Sequence, residues 1–208
     1  MALSKIQPAS MDLTANYAFT GTNSVSTIEY TQKKLATQTA SSSSSLSFTS
    51  NIDNTYNIYK FRFINIHPSN NATRLQYNLS VDGGSNYNVA KTTTSLKAYH
   101  NEAGNTAALT YETGTDLAQG TGTQFIGDDI SNANDATMSG EMFLFNPSST
   151  TFVKHILIRT ATLSNGDYAV FNTTGTGYGN TTSAVNAVQF TMSSGTIDSG
   201  TIEMYGIN

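Results

Sequence analysis

The chain has 208 residues, long enough to bury a core without disulfide or metal staples, and only 12% of them are charged, against roughly 25% in an ordinary globular protein. Its net charge of −4 argues against nucleic acid or an anionic membrane as the main partner. Cysteine is absent, which excludes disulfides, thiolate metal sites and thiol nucleophiles. Serine, threonine, asparagine and glycine fill the composition, and these residues disfavour long helices because they compete for backbone hydrogen bonds or carry poor helix propensity.

Residues 1–24 read as an extended arm. Leu3, Ile6, Leu13, Tyr17 and Phe19 are isolated apolar anchors in a Ser/Thr/Asn-rich stretch, spaced too loosely for a core of their own, and they are the candidate docking residues. The opening Met1 to Pro8 carries no apolar segment of signal-peptide length. No run approaches the roughly 20 apolar residues of a membrane span. Both observations predict synthesis in the cytoplasm and no membrane partner.

A single β domain is expected over 25–208. An imperfect strand signal runs from Ser24 to Tyr30. Lys33-Lys34 reads as a solvated basic pair, and the serine run from Ser41 to Ser45 as a loop. Leu46 to Thr49 opens the next strand. From Asn57 to His67, Tyr59, Phe61 and Phe63 share one face and Ile58, Ile64 and Ile66 the other, which predicts a central strand covered on both sides and ended by Pro68. Between Thr73 and Asp82, Leu75, Tyr77, Leu79 and Val81 alternate with polar residues, and Asp82-Gly83-Gly84 supplies a turn. Asn86 to Lys91 and Leu96 to Tyr99 are shorter candidates, and residues 101–135 are a loose stretch rich in glycine, asparagine, aspartate and threonine with a candidate strand at Ala107 to Tyr111. Ser139 to Asn146 and Thr151 to Ala161 follow, the latter pairing with Tyr168 to Phe171. Gly175 to Gly179 reads as a flexible turn. Val188, Phe190 and Met192, then Ile202 and Met204, keep period-two spacing across Ser193-Ser194-Gly195 and predict a closing hairpin. About eight to ten short strands with no convincing helix predict an all-β protein, a jelly-roll-like antiparallel β-sandwich with an extended N-terminal arm.

The chemistry-bearing residues are sparse. His67, His100 and His155 lack the close spacing of paired metal ligands, so no metal and no cofactor are expected. Asp128-Asp129 and Asp82-Gly83-Gly84-Ser85 offer hard oxygens for calcium but not the EF-hand pattern, and an aspartate in a glycine turn commonly serves the turn itself. Glu29, Glu102, Glu112, Glu141 and Glu203 form no glycosidase-like motif, and no nucleophile elbow or phosphate loop is present. The expectation is a non-enzymatic protein. Tyr87, Tyr99, Tyr111 and Tyr178, set among asparagine and threonine, are candidate glycan contacts; the competing reading packs these amphipathic rings at subunit contacts.

Three local patterns together resemble virion surface proteins of marine tailed bacteriophages. They are Asp12-Leu13-Thr14-Ala15-Asn16-Tyr17-Ala18-Phe19-Thr20-Gly21-Thr22; the run from Tyr59 to Pro68 followed by Ser80-Val81-Asp82-Gly83-Gly84-Ser85-Asn86-Tyr87; and Ser193 to Ile202 with Tyr205-Gly206-Ile207. They cover about a quarter of the chain directly. The resemblance implies a jelly-roll module on heads, collars, tails or fibres, and carries no catalytic residue set. From it follows the expectation of a head decoration or cement protein, localised to the virion and made in the host cytoplasm. Its partners would be other virion proteins, capsid or tail, and it would assemble as a homotrimer. The alternative is a tail-fibre or appendage protein that binds a host glycan.

Overall fold

The computed structural model describes residues 32–166 and 168–208. The expected arm at 1–24, with Leu3, Ile6, Leu13, Tyr17 and Phe19, and the expected strand from Ser24 to Tyr30 lie outside the described residues. Twelve strands are present among the described residues, in chain order β1 (Lys33–Thr39), β2 (Leu46–Phe48), β3 (Ile58–Pro68), β4 (Leu75–Ser80), β5 (Lys91–Asn101), β6 (Ala107–Tyr111), β7 (Gln124–Phe125), β8 (Met138–Phe145), β9 (Lys154–Leu163), β10 (Ala169–Gly179), β11 (Ala187–Met192) and β12 (Ile197–Ile207). They form two antiparallel sheets. The large one has the order β1-β12-β3-β8-β9-β10-β5-β6, and the small one β2-β11-β4-β7. The expected all-β antiparallel sandwich is therefore present, with more strands than the eight of a plain jelly roll.

Period-two side chains build the interface between the sheets. Phe190 of β11 stands edge-on to Phe48 of β2 and to Phe61 and Phe63 of β3, with ring centroids 6.2, 5.4 and 5.3 Å away. These T-shaped contacts tie the small sheet to the large one. Around them lie Leu75, Tyr77 and Leu79 of β4, Met142 and Leu144 of β8, Ile156 and Ile158 of β9, and Ile202 and Met204 of β12, all buried.

Beyond β9 the interior changes character. The buried residues there include Thr160, Thr162, Thr173, Thr93, Ser95 and Lys91, beside Ala169 and Phe171. The small sheet has only four strands to set against eight, and its Asn78 and Gln124 meet Lys91 and Thr93 of β5. Residues 112–120 continue the line of β6 along β5: Glu112 N donates to Ser95 O, Thr93 N to Leu117 O and Lys91 N to Gly120 O. Gln124 donates from Nε2 to Thr115 O and accepts at Oε1 from Thr93 Oγ1. The Lys91 ammonium is buried, donating to Asn78 Oδ1 and Val89 O, and burial pushes its pKa down to about 8.

Several local expectations change. The closing strands do not form a hairpin: β11 pairs with β2 and β4, while β12 pairs with β1 and β3. The Ser193-Ser194-Gly195 segment crosses between the sheets. Ser199-Gly200 does not break β12 but forms a bulge, with Gly200 at φ +112° and its backbone against Asn65 and Ile66 of β3, where a Cβ would collide. Asn65 lies opposite at φ +49°. That irregularity turns Ile66 into the core with Tyr59, Phe61 and Phe63, so β3 is covered on one face and carries Lys60 and Arg62 on the other. Gly175 to Gly179 is strand, hydrogen-bonded along both sides to β5 and β9. Asn86 to Ala90 is not strand; Val81 is 37% exposed rather than facing in, and Phe152 is exposed ahead of β9. Lys33 and Lys34 open the edge strand β1.

Phe190→Ala is expected to cost about 3–5 kcal/mol in urea unfolding, because it empties the inter-sheet contact. Phe152→Ala, exposed ahead of β9, should stay within about 0.5 kcal/mol.

Candidate functional site

The segment after β7 leaves the small sheet and reaches the large one. Ile126 N donates to Leu75 O and Ile130 N to Thr73 O, both beside β4; Ser131 N then donates to Leu163 O at the end of β9. Asp128 and Asp129 sit on this crossing, Asp129 at φ +50°. Beneath it is a cleft of about 370 Å³ lined by Arg74, Lys97, Tyr99, Asp128, Asp129, Tyr168 and Phe171. That volume falls at the small end of the roughly 300–1,000 Å³ of small-molecule sites.

Strand geometry explains the assembly. Lys97 and Tyr99 are two apart on β5 and share its inward face. Tyr99 is the register partner of Phe171 on β10, and their rings lie 5.7 Å apart in a tilted pair. Lys97 Nζ lies 4.7 Å from the centre of the Phe171 ring, and the Arg74 guanidinium 5.0 Å from that of Phe125, both within cation–π range.

Asp128 is the electrostatic centre. Arg74 Nε donates to its Oδ1 at 2.5 Å, and Lys97 Nζ to its Oδ2 at 2.8 Å. Lys97 also pairs with Glu112 Oε2 at 3.4 Å. Burial alone would raise the Asp128 pKa, but the hydrogen bonds and charges of Lys97 and Arg74 outweigh it and hold the carboxyl below its ordinary value. Asp129 behaves in the opposite way: burial, then the neighbouring Asp128 charge, push its pKa up. Its carboxylate has no hydrogen-bond partner among the described residues. With both oxygens of Asp128 held by cations, the Asp128-Asp129 pair is a poor calcium ligand. Among the described residues no group of three or more histidines and carboxylates is placed to hold a metal. Asp82 serves its own turn, accepting from Ser80 Oγ and from Asn86 N and Nδ2, which hold its pKa at about 2.

The four tyrosines singled out in the sequence are not brought together. Only Tyr99 lines the cleft. Tyr111 pairs with Leu96, and Tyr178 with His155; alternation places both on the outer face of the large sheet, opposite Tyr99. Tyr87 packs its hydroxyl end near Gly84 in the loop after β4. The sequence reading missed Arg74, Lys97, Tyr168 and Phe171 as site residues. The signal for Lys97, Tyr99 and Phe171 was their shared inward phase on two neighbouring strands, which needed the full lengths of β5 and β10 to be read.

The outer face of β9, β10, β5 and β6 is a second feature. It exposes Leu157, Val170, Leu96, Leu109 and Tyr111, with Leu109 73% exposed. Arg159 lies there beside Glu141 of the neighbouring β8, whose carboxylate pairs with Lys60 Nζ at 2.6 Å.

No protein-family model, no curated protein and no solved structure matches this chain.

Asp128→Asn keeps the side-chain shape but leaves Arg74 and Lys97 without their shared carboxylate. It is expected to lower stability by roughly 1–3 kcal/mol at neutral pH. Because the folded pKa of Asp128 is depressed, its contribution is complete above the unfolded carboxylate value of about 3.9. It is lost as pH falls through the folded value. Urea titrations of both proteins should therefore converge on acidification; a constant gap would contradict this role.

Proposed function

We propose that this chain is a structural protein of a tailed-bacteriophage virion, displayed on the particle surface as a head decoration or cement protein. It is non-enzymatic on this reading, assembles as a homotrimer and docks on capsid protein through Leu3, Ile6, Leu13, Tyr17 and Phe19. The sandwich is then a jelly-roll variant widened on one side.

The observation that carries the assembly part is the outer face of β9, β10, β5 and β6. It leaves Leu96, Leu109, Tyr111, Leu157 and Val170 exposed on one side of the sheet, and several exposed large apolar side chains on one face mark an interaction surface. The occupant proposed is a second copy of the chain, because among the described residues Arg159 is the one Lys, Arg, Asp or Glu side chain that these four strands turn outward, so copies meet there with little charge to desolvate. The resemblance supports the setting: two of its three patterns fall on β3, the turn after β4 and the β11–β12 crossing, the parts that hold the sandwich together.

The alternative reading, an appendage protein that binds host polysaccharide, is favoured by the Tyr99 cleft.

Sedimentation of the full chain is expected to give a trimer. Leu109→Asp with Leu157→Asp should dissociate it while leaving the far-UV circular dichroism of the sheets unchanged. Leu13→Ala with Tyr17→Ala and Phe19→Ala should leave the trimer intact but abolish binding to capsids stripped of the protein. A monomeric wild type, or full capsid occupancy by the arm variant, contradicts the proposal.

A further inference from the structure

The cleft holds two kinds of unused hydrogen-bonding capacity side by side. Asp129 presents a carboxylate with no partner among the described residues, partly desolvated on a left-handed turn of the 126–131 crossing. Arg74 spends its Nε on Asp128, and its two terminal amino groups make no hydrogen bond among the described residues. Between them stand aromatic surfaces: Tyr168, about half exposed, and Tyr99, half-buried against Phe171. A ligand that fits must donate to a carboxylate, accept from a guanidinium and lay an apolar face on a ring.

Charge narrows the choice. Among the described residues, Arg74 and Lys97 face three carboxylates, Asp128, Asp129 and Glu112. An anionic ligand meets Asp129 with no spare cation, since both cations are already paired. An ammonium ligand must approach Arg74 and Lys97 in the same cleft. A hydroxyl group is both donor and acceptor and carries no charge. Two neighbouring hydroxyls on a ring span a carboxylate as donors, and the ring's C–H face stacks on an aromatic side chain.

We infer that the cleft under the 126–131 crossing is a binding site for a neutral sugar residue, with Asp129 accepting from vicinal hydroxyls, Arg74 donating to a ring or hydroxyl oxygen, and Tyr168 and Tyr99 forming the platform. The site lies on the opposite side of the large sheet from the proposed assembly face. It does not depend on where in a particle the chain sits, so failure of either reading leaves the other standing.

The test is saturation-transfer NMR and calorimetric titration of the full chain with methyl glycosides of neutral hexoses, of a hexosamine and of a uronic acid. At least one neutral hexoside is expected to bind, with the amine and the uronate at least tenfold weaker. Asp129→Asn tolerates the same backbone conformation and should weaken that binding at least tenfold, as should Tyr168→Ala. Tyr111→Ala, on the opposite face, should leave it unchanged. Acidification should weaken binding as Asp129 takes up a proton. The inference is overturned if no neutral hexoside binds, if the charged sugars bind better, or if Asp129→Asn binds as the wild type does.

Discussion

Eight strands cannot be covered by four. The large sheet must hide one face of β1, β12, β3, β8, β9, β10, β5 and β6, and the small sheet reaches only part of it. Where the two overlap, phenylalanine does the work: Phe190 meets Phe48, Phe61 and Phe63 at the centre of a dry core. Toward β10 and β5 the facing strand positions include threonine, serine and lysine rather than leucine: Lys91 donates to Asn78 of β4, Thr93 to Gln124 of β7 and Thr160 to Ile126 O on the crossing. Gln124 also donates to Thr115 O, in the loop after β6. The interior thus divides into an apolar half and a polar half, in which Lys91, Thr93 and Thr160 are hydrogen-bonded and the Thr162 and Thr173 hydroxyls are buried without a partner among the described residues.

The same mismatch positions both candidate surfaces. The 126–131 crossing closes the side of the sandwich, and the Asp128 ion pairs with Arg74 and Lys97 pin it across the gap between β4 and β5. The pocket remains where that closure is incomplete. On the other side of β9, β10, β5 and β6 no further layer lies among the described residues, and leucine, valine and tyrosine are left in water. That outer face sets Leu96, Leu109, Tyr111, Leu157 and Val170 among polar side chains such as Thr94, His100, Arg159, Asn172 and Thr174. Those five exposed apolar side chains are the physical reason for reading the outer face as a surface that becomes buried on assembly.

Much of the apolar half was legible in the sequence. Leu75, Tyr77 and Leu79, and Val188, Phe190 and Met192, alternate as half-buried strands must, and all six are buried. Gly175 to Gly179 reads as a turn because its inward positions are all glycine and show no apolar alternation; Gly177 packs too close to Thr92 and Thr93 to hold a Cβ, and Gly179 lies against Leu79 and Val89. Edge strand β1 gave little signal, since neither of its faces is fully buried. The β11–β12 hairpin was inferred from adjacency in the chain. Which sheet each strand joins is decided by partners over 100 residues away, Leu46 and Phe48 for β11 and the strand from Ile58 to Pro68 for β12. Of the site, Tyr99 and the Asp128-Asp129 pair stood out by type, but what assembles them is the phase of β5 against β10.

The central claim is that the outer face of β9, β10, β5 and β6 is buried when the protein does its work. Hydroxyl-radical footprinting tests it directly, comparing the full chain free at low concentration with the chain on intact phage particles. Leu96, Leu109, Tyr111, Leu157 and Val170 should be labelled in the free chain and protected on the particle, while the exposed Phe152, ahead of β9, changes little. Equal labelling of those five residues in both states, or absence of the chain from purified particles, would contradict the account.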